Sequence, residues 1–411
     1  MKKLFRQLGP GLLYAGAAVG VSHLVQSTRA GADYGLWMIA VVLIANFLKY
    51  PFFKAGPLFA VTTEQSLLEA FYKIGNWAVL LFYGLTFTTM FAVQAVVTLI
   101  TASVLASIFN LSIPLWIISA VILLCCAFIL LMGKFHLLNK VMRYVIVLLA
   151  ITTLISLFAA IFSYSDPAFE PKVFSFFHSP DLFFLIALVG WMPAPLDISV
   201  WHSEWTLAEI KEQQNKHKNF SGVHFDFKVG YWGTTFLAMA FVALGALMLR
   251  GRGIVLSDRG AEFAGDVIGM YTATLGKWAF VFVAMAALTT MFSTTLTVLD
   301  AYPRVLSKAL ALSFKNLKIS SGKLYFYLLS LTVVGALFIL IFQLENMKQL
   351  VDFATGISFL TAPVLGSLIY KVVLNAKGKI FSTTDHSIAI IGLIFLYAFS
   401  IYYLWMKYFL N

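Results

Sequence analysis

The sequence predicts an all-α polytopic membrane protein with eleven transmembrane helices, of which the first and the sixth are interrupted. Of the 411 residues, 61% are hydrophobic and 11% are charged, whereas a soluble domain carries about 25% charged residues. Apolar runs of about 20 residues, the length that a bilayer-spanning helix needs, recur along the whole chain. Glycine and proline break two of these runs.

Hydropathy places the spans in order along the chain. They lie near residues 10–30, 34–57, 76–109, 113–132, 136–163, 181–205, 227–250, 275–302, 323–343, 347–374 and 385–409. The first run is longer than the apolar region of a signal peptide and is followed by the polar stretch QSTRAGADYG, so it is predicted to be a retained span. The polar connections are short, and residues 1–411 are therefore predicted to form a single transmembrane domain.

Basic residues are distributed unevenly between the two sides of the predicted bundle. With the N-terminus inside, the cytoplasmic side carries 20 Lys and Arg residues and the outer side carries 8. This asymmetry predicts a cytoplasmic N-terminus by the positive-inside rule. It also accounts for the net charge of +11, so no nucleic-acid partner is expected. Lys49, inside the second span, is expected to extend its ammonium toward the cytoplasmic surface.

The first interruption is the stretch GAAVGVSHLVQS, residues 16–27. Gly16 and Gly20 weaken the helix there, and Ser22 and His23 place polar groups at mid-depth. Backbone that is not helical at membrane depth is tolerated only where it is buried in protein or lines a cavity. The sequence therefore predicts a binding site at this interruption.

The second interruption is the stretch GWMPAPLDISVWHSEW, residues 190–205. Pro193 and Pro195 fall where a helix should continue, and Asp197 and His202 follow within two turns. Asp197 fits two roles equally well, as a ligand or as the cap of the second half-helix. His202 is expected to lie toward the cytoplasmic interface.

The spacing of the two interruptions indicates an internal repeat. Broken helices in corresponding positions of two halves are the pattern of an inverted-repeat secondary transporter, which binds its substrate near the bilayer midplane. The predicted five-helix halves cover about residues 8–163 and 181–374, and an extra helix covers 385–409.

Three stretches resemble a known family. GPGLLYAGAAVGVSHLVQSTRAGADYGLWMIAVVLIAN resembles the first two helices of the natural resistance-associated macrophage protein (Nramp) family. MFSTTLTVLDAYPRVLSKAL and MKQLVDFATGISFLTAPVL resemble its eighth and tenth helices. The resemblance covers nearly the full length, and eleven spans is also the family's count. It implies a LeuT-like fold of 5+5 inverted repeats with broken helices 1 and 6, in a family that imports divalent metals.

The sequence departs from the family at the metal site. Residues 20–23 read Gly-Val-Ser-His where the family has Asp-Pro-Gly-Asn in helix 1. Residues 194–196 read Ala-Pro-Leu where the family has Met-Pro-His in helix 6. No acid occurs between Glu69 and Asp166, although the family uses acids of helix 3 for proton movement. The metal-binding carboxylate, the thioether and the acidic proton path are therefore missing.

These departures favour a different substrate. A dehydrated divalent cation needs negative ligands, whereas the free N–H groups of half-helix N-termini attract anions. We expect a small anion or a carboxylate-bearing solute, such as bicarbonate, a short carboxylate or an amino acid. The expected substrate-binding residues are Gly20, Val21, Ser22, His23, Ala194, Pro195, Leu196 and Asp197.

Two alternatives remain open at this point. The first is a proton-coupled transporter of a divalent cation such as manganese, iron or magnesium, with His23, Asp197 and Met192 as a rewired ligand set. The second is a membrane signalling domain that does not transport, although the large soluble effector that such proteins carry is not found between residues 1 and 411. The sequence contains no H-E-x-x-H and no G-x-S-x-G motif, so an enzyme is not expected.

Sodium is the expected coupling ion, because the acidic proton path is missing. LeuT-like transporters hold sodium between the break in helix 1 and hydroxyls of helix 8, and the resemblance places these groups at Gly16, Ser293, Thr294 and Thr297. No cofactor and no resident metal are expected. The expected partners are the lipid bilayer and a small-molecule or ion substrate, with no obligate protein partner. The expected location is the inner (plasma) membrane of a bacterium.

Overall fold

The computed structural model describes residues 9–133, 135–162, 170, 172–212, 220–314, 319–342 and 346–409, in which every regular element is a helix. In chain order the α-helices are α1 (Pro10–Ala18), α2 (Thr28–Tyr34), α3 (Met38–Thr63), α4 (Leu67–Ile74), α5 (Asn76–Phe109), α6 (Leu115–Leu131), α7 (Phe135–Phe162), α8 (Ser179–Gly190), α9 (Ile198–Glu212), α10 (Phe220–Leu244), α11 (Gly260–Leu275), α12 (Phe280–Ser313), α13 (Ser321–Phe342), α14 (Met347–Leu374) and α15 (Thr383–Phe409). The predicted all-α class is confirmed.

Each of the eleven predicted spans coincides with one of these helices or with a pair of them. Within the described residues, seven helices are long and apolar enough to cross a membrane, namely α3, α5, α10 with its continuation to Arg252, α12, α13, α14 and α15. Spans 1 and 6 are both divided, into α1 and α2 and into α8 and α9. The short helices α4 and α11 were not expected. Helix α4 begins at a capping box, in which Ser66 and Glu69 satisfy each other's backbone N–H groups.

The two halves of span 1 lie along α10. The Asp226 carboxylate of α10 accepts hydrogen bonds from the N–H groups of Gly9 and Gly11, at 2.9 and 2.8 Å. These N–H groups begin α1 and have no acceptor within the helix. Near the other end of α10, α2 crosses so closely that a Cβ atom added to Gly31 would lie 1.8 Å from the Val242 carbonyl oxygen. A π-helical turn, Ser22–Ser27, precedes α2 between these contacts.

The end of the first half of span 6 lies against α3. The Lys49 ammonium donates hydrogen bonds to the carbonyl oxygens of Val189, Gly190 and Met192, at 2.6, 3.0 and 3.1 Å. Lys49 is fully buried. The expectation that it extends to the cytoplasmic surface is therefore wrong, because free carbonyls at the end of α8 provide nearer partners than water does.

Two expectations about organisation stay predictions. The division into halves near residues 8–163 and 181–374, with an extra helix at 385–409, has limits at residues 8 and 163 that lie outside the described part of the chain. The basic segments within residues 1–8 and 213–219, on which the predicted orientation partly depends, also lie outside it.

Candidate functional site

The two interruptions meet at a small cavity of about 20 Å³. Val21 and Ser22 contribute to its lining from the first interruption, and Pro195 contributes from the second. Thr294 of α12 closes another side. The structure thus brings these predicted residues together, while Ala194 and Leu196 are buried nearby in the second interruption. Their role in substrate binding stays a prediction.

Two tryptophans with indole N–H groups that are unpaired within the described residues contribute to this lining. Trp191 follows the end of α8 and Trp201 lies in the first turn of α9, and both side chains line the cavity. Their exposed fractions are 4% and 1%, and neither indole N–H has an acceptor among the described residues. A buried donor without an acceptor costs about 1–3 kcal/mol. An acceptor-bearing solute in the cavity would remove that cost.

Asp197 lies at the start of α9, as its sequence position predicts. Its carbonyl oxygen accepts hydrogen bonds from the N–H groups of Val200 and Trp201, which begin the helix. The side chain is buried, and its carboxyl group is hydrogen-bonded to its own backbone N–H. This position fits either a cap or a ligand, and both roles stay predictions.

His23 is fully buried and both of its ring nitrogens have partners within the protein. Nδ1 lies 2.7 Å from Ser22 Oγ, and Nε2 lies 2.9 Å from the carbonyl oxygen of Thr234 on α10. A carbonyl can only accept, so Nε2 carries a proton and donates it to Thr234. Direct contact between His23 and a substrate stays a prediction, and it would require the ring to release one of these partners.

A second polar cluster joins the end of α1 to α12. Thr294 Oγ1 lies 3.3 Å from the carbonyl oxygens of Gly16 and Val19, and 3.1 Å from that of Thr290. One hydroxyl can donate to only one of these three oxygens. A Cβ atom added to Gly20 would lie 3.0 Å from the Thr294 side chain, so glycine allows this close approach. The surplus of neutral oxygens is the chemistry that suits a hard cation.

The structure places the predicted sodium ligands unequally. The Thr294 hydroxyl contacts the Gly16 carbonyl, whereas Ser293 and Thr297 are buried on α12 without a described hydrogen bond to Gly16. The carbonyl groups of Val19 and Thr290 were not predicted as ligands, because every residue has a backbone carbonyl and residue type does not show which one faces a site.

Ion pairs tie the interrupted spans to their neighbours. Arg29, at the start of α2, forms a bidentate pair with Asp352 of α14, at 2.7 and 3.0 Å. Elsewhere Lys308 of α12 bridges Glu69 of α4 and Glu204 of α9, at 2.9 and 3.0 Å. Burial of the Glu69 carboxyl opposes its ionisation, but the Ser66 N–H and the Lys308 ammonium outweigh burial and hold its pKa below the usual range. The Glu69 carboxylate therefore stays charged at neutral pH.

The arrangement offers little to a divalent metal. Among the described residues, no group of three or more His, Cys, Asp or Glu side chains is placed to hold a metal ion. The alternative set of His23, Asp197 and Met192 depends on a thioether, and the backbone carbonyl of Met192 is already bound by Lys49. That set stays a prediction.

Trp191, Trp201 and Lys49 were not predicted from the sequence to belong to the candidate site. A signal for the tryptophans was present, because both flank the two prolines that interrupt span 6. Indole in an apolar span usually indicates packing or an interfacial position. Only the absence of a protein acceptor distinguishes these two from ordinary core tryptophans.

The chain is similar to known proteins along nearly its whole length. Residues 11–406 match the family described as natural resistance-associated macrophage protein-like. The chain is 32% identical over 407 residues to the uncharacterized protein PM0681 of Pasteurella multocida, which covers 97% of this chain and 92% of that protein. 

Solved structures of low identity share the fold. One is a mutant of the manganese transporter of Eremococcus coleocola, with a TM-score of 0.69 and 12% identity over 98% of this chain and 86% of that one. Another is MhsT in complex with L-phenylalanine, with a TM-score of 0.61 and 13% identity over 95% of this chain and 98% of that one. These likenesses confirm the expected LeuT-like fold.

Proposed function

Because this chain belongs to the natural resistance-associated macrophage protein-like family, it is a membrane transporter and not an enzyme, and we propose that it carries a small anion or a carboxylate-bearing solute. The observation that carries this proposal is a pair of buried indole N–H groups without an acceptor among the described residues, on Trp191 and Trp201, whose side chains line the cavity. The described lining of the cavity contains no carboxylate. Donors without acceptors favour a ligand that brings acceptors, and an anion brings the strongest ones.

The cavity of about 20 Å³ has room for about one water molecule, whereas pockets that bind ligands measure about 300–1,000 Å³. Bicarbonate, a short carboxylate or an amino acid would therefore bind only after the two interruptions move apart. MhsT, which shares the fold, was crystallised with L-phenylalanine, an amino acid with a carboxylate.

A divalent metal is the second candidate, because a structure of the same fold belongs to a manganese transporter. A divalent cation would need His23, Asp197 and Met192 to converge, although the His23 ring is held by Ser22 and Thr234.

Flux measurements in proteoliposomes separate the two candidates, with bicarbonate, acetate, a set of L-amino acids and Mn²⁺ as probes. Uptake of at least one anion or amino acid, without uptake of Mn²⁺, is the expected result. Absence of flux for every probe would favour the signalling alternative.

We expect the purified protein to bind Mn²⁺ weakly, with no binding in the micromolar range by isothermal titration calorimetry. The cavity supplies too few negative ligands to replace the hydration shell of the ion. Micromolar binding that disappears in Asp197→Ala or Met192→Ala, and persists when the exposed Glu262 is replaced by alanine, would establish the metal candidate instead.

We further propose that transport is coupled to sodium, which would bind between Gly16, Val19 and Thr294. The support is the surplus of carbonyl oxygens around the single Thr294 hydroxyl. In a LeuT-like fold, an ion at this place would hold the interrupted helix against α12.

Sodium chloride is expected to raise the melting temperature of the detergent-solubilised protein relative to choline chloride. Thr294→Val should reduce sodium affinity by at least about tenfold, because one oxygen ligand of a charged ion is lost. Thr289→Val is the matched control, since Thr289 lies on the same helix, is only partly buried and donates its hydrogen bond to the Met285 carbonyl of that helix. Sodium stabilisation that is equal in both variants would place the ion elsewhere.

A further inference from the structure

We propose that the Lys49 ammonium permanently fills a cation-binding position at the C-terminal end of α8, where span 6 is interrupted. The effect of Lys49 on substrate selectivity rests on the proposed function. The geometry of the Lys49 site and the test of it do not depend on which substrate is carried.

The contacts of Lys49 match the ammonium group completely. An ammonium has three donors and no acceptor, and Nζ lies 2.6, 3.0 and 3.1 Å from three carbonyl oxygens, those of Val189, Gly190 and Met192. Helix α8 ends at Gly190. The three oxygens therefore lie at or just beyond the C-terminal end of a helix, where the helix dipole is negative. Of the three, the Val189 carbonyl also accepts a hydrogen bond from the Met192 N–H, at 3.2 Å.

This place has a defined role in transporters with broken helices. The C-terminal ends of their half-helices and the unwound carbonyls next to them coordinate transported or coupling cations. In this chain a side chain from α3 fills that position. A free cation could bind there only by displacing Lys49, which is covalently attached and fully buried.

Lys54, on the same helix, shows how an ordinary buried lysine differs. Its Nζ lies 2.7 Å from the Asp385 carboxylate, which cancels its charge. All the contacts described for Lys49 are with neutral carbonyls. The proposal thus places a positive charge without a described carboxylate partner beside the second interruption.

The position of this charge connects it with the cavity. Two of the three carbonyls belong to Gly190 and Met192, the residues on either side of Trp191. Lys49 thus holds the backbone from which the Trp191 indole lines the cavity. It acts as a positioning residue for one of the two unpartnered donors, and its charge disfavours cations and favours anions.

The test is chemical rescue of Lys49→Ala in the purified, detergent-solubilised protein. This variant frees the three carbonyls and the space of the side chain. Methylammonium chloride should raise its melting temperature by at least about 2 °C relative to choline chloride at equal ionic strength. The wild type should not respond, because the Lys49 ammonium already occupies this cation-binding position.

Leu182→Ala is the matched control, since it removes a buried side chain from α8 without freeing a carbonyl. It should lose stability and gain none from methylammonium. The proposal is overturned if Lys49→Ala does not respond, or if Leu182→Ala responds equally. Neither readout uses the substrate, so failure of the anion proposal would leave this result unaffected.

A second measurement uses the wild type, in case Lys49→Ala does not fold. NMR of protein labelled with ¹³C and ¹⁵N lysine reports whether an amino group is charged, and Lys49→Arg, which keeps a cation at the site, assigns the Lys49 signal by its disappearance. The proposal expects a charged ammonium at neutral pH that exchanges slowly with water. A neutral Lys49 amine would overturn it.

Discussion

The double variant Trp191→Phe, Trp201→Phe should lose at least about 100-fold in substrate affinity and still fold. Each indole N–H that donates to a charged ligand contributes about 1.5–3 kcal/mol, which corresponds to roughly 10- to 150-fold in affinity for each tryptophan. Phenylalanine keeps an aromatic ring in the wall of the cavity but removes the donor. Uptake of the probe that the wild type transports best, measured in proteoliposomes over a range of concentrations, gives the change.

The melting temperature of the same variant distinguishes a binding role of the two indoles from a structural role. A tryptophan whose N–H bonds to protein would destabilise the fold when replaced, because its acceptor would lose a partner. Trp191 and Trp201 have no such acceptor among the described residues. Replacement by phenylalanine therefore removes the cost of a buried, unpaired N–H, and this gain offsets part of the stability lost with the smaller ring. The melting temperature should therefore change little while affinity falls steeply.

Trp205→Phe is the matched control for both measurements. Trp205 lies on α9 beside Trp201, with their ring centroids 6.3 Å apart, and it is not part of the described cavity lining. Its replacement should leave affinity unchanged. Wild-type affinity in the double variant would show that the substrate binds away from these indoles and would remove the main support for an anion.

The sequence was sufficient to locate both interruptions, because the residues that mark them act locally. Pro195 removes a backbone donor and Gly20 lowers helix propensity wherever they lie. The hydroxyl of Thr294 was found for a related reason, since hydroxyls in the eighth helix are visible in the sequence. The closeness of Thr294 to Gly16 followed from the resemblance, and the structure shows that distance as 3.3 Å.

Partners that are distant in the sequence could not be predicted. The acceptor of His23 is the carbonyl of Thr234, which lies 211 positions away, and the carbonyls bound by Lys49 lie about 140 positions away. Every residue has a carbonyl, so residue type gives no sign of which one is free. Lys49 was expected to reach water because the sequence shows no nearer partner, and the broken end of α8 supplies one.

Gly31→Ala should be strongly destabilising, by about 3 kcal/mol or more, at the top of the usual range for overpacking. A Cβ atom at Gly31 would lie 1.8 Å from the Val242 carbonyl oxygen and 2.8 Å from the backbone nitrogen of Ala246. Both are backbone atoms, so no rotation of a side chain can relieve the clash. Gly245, in the continuation of α10, is equally close to α2 at the same contact, where its own Cβ would lie 2.2 Å from the Thr28 carbonyl oxygen.

The matched control is Gly233→Ala on α10, the helix that carries Val242. Nothing lies within 4 Å of a Cβ atom at Gly233, so alanine should stabilise the helix there by about 0.5–1 kcal/mol. Thermal unfolding in detergent should therefore move in opposite directions for two chemically identical substitutions. Equal shifts would mean that α2 does not pack tightly on α10. Because α2 also carries Arg29 and its pair with Asp352, a displaced α2 should abolish transport even in the fraction of Gly31→Ala that remains folded.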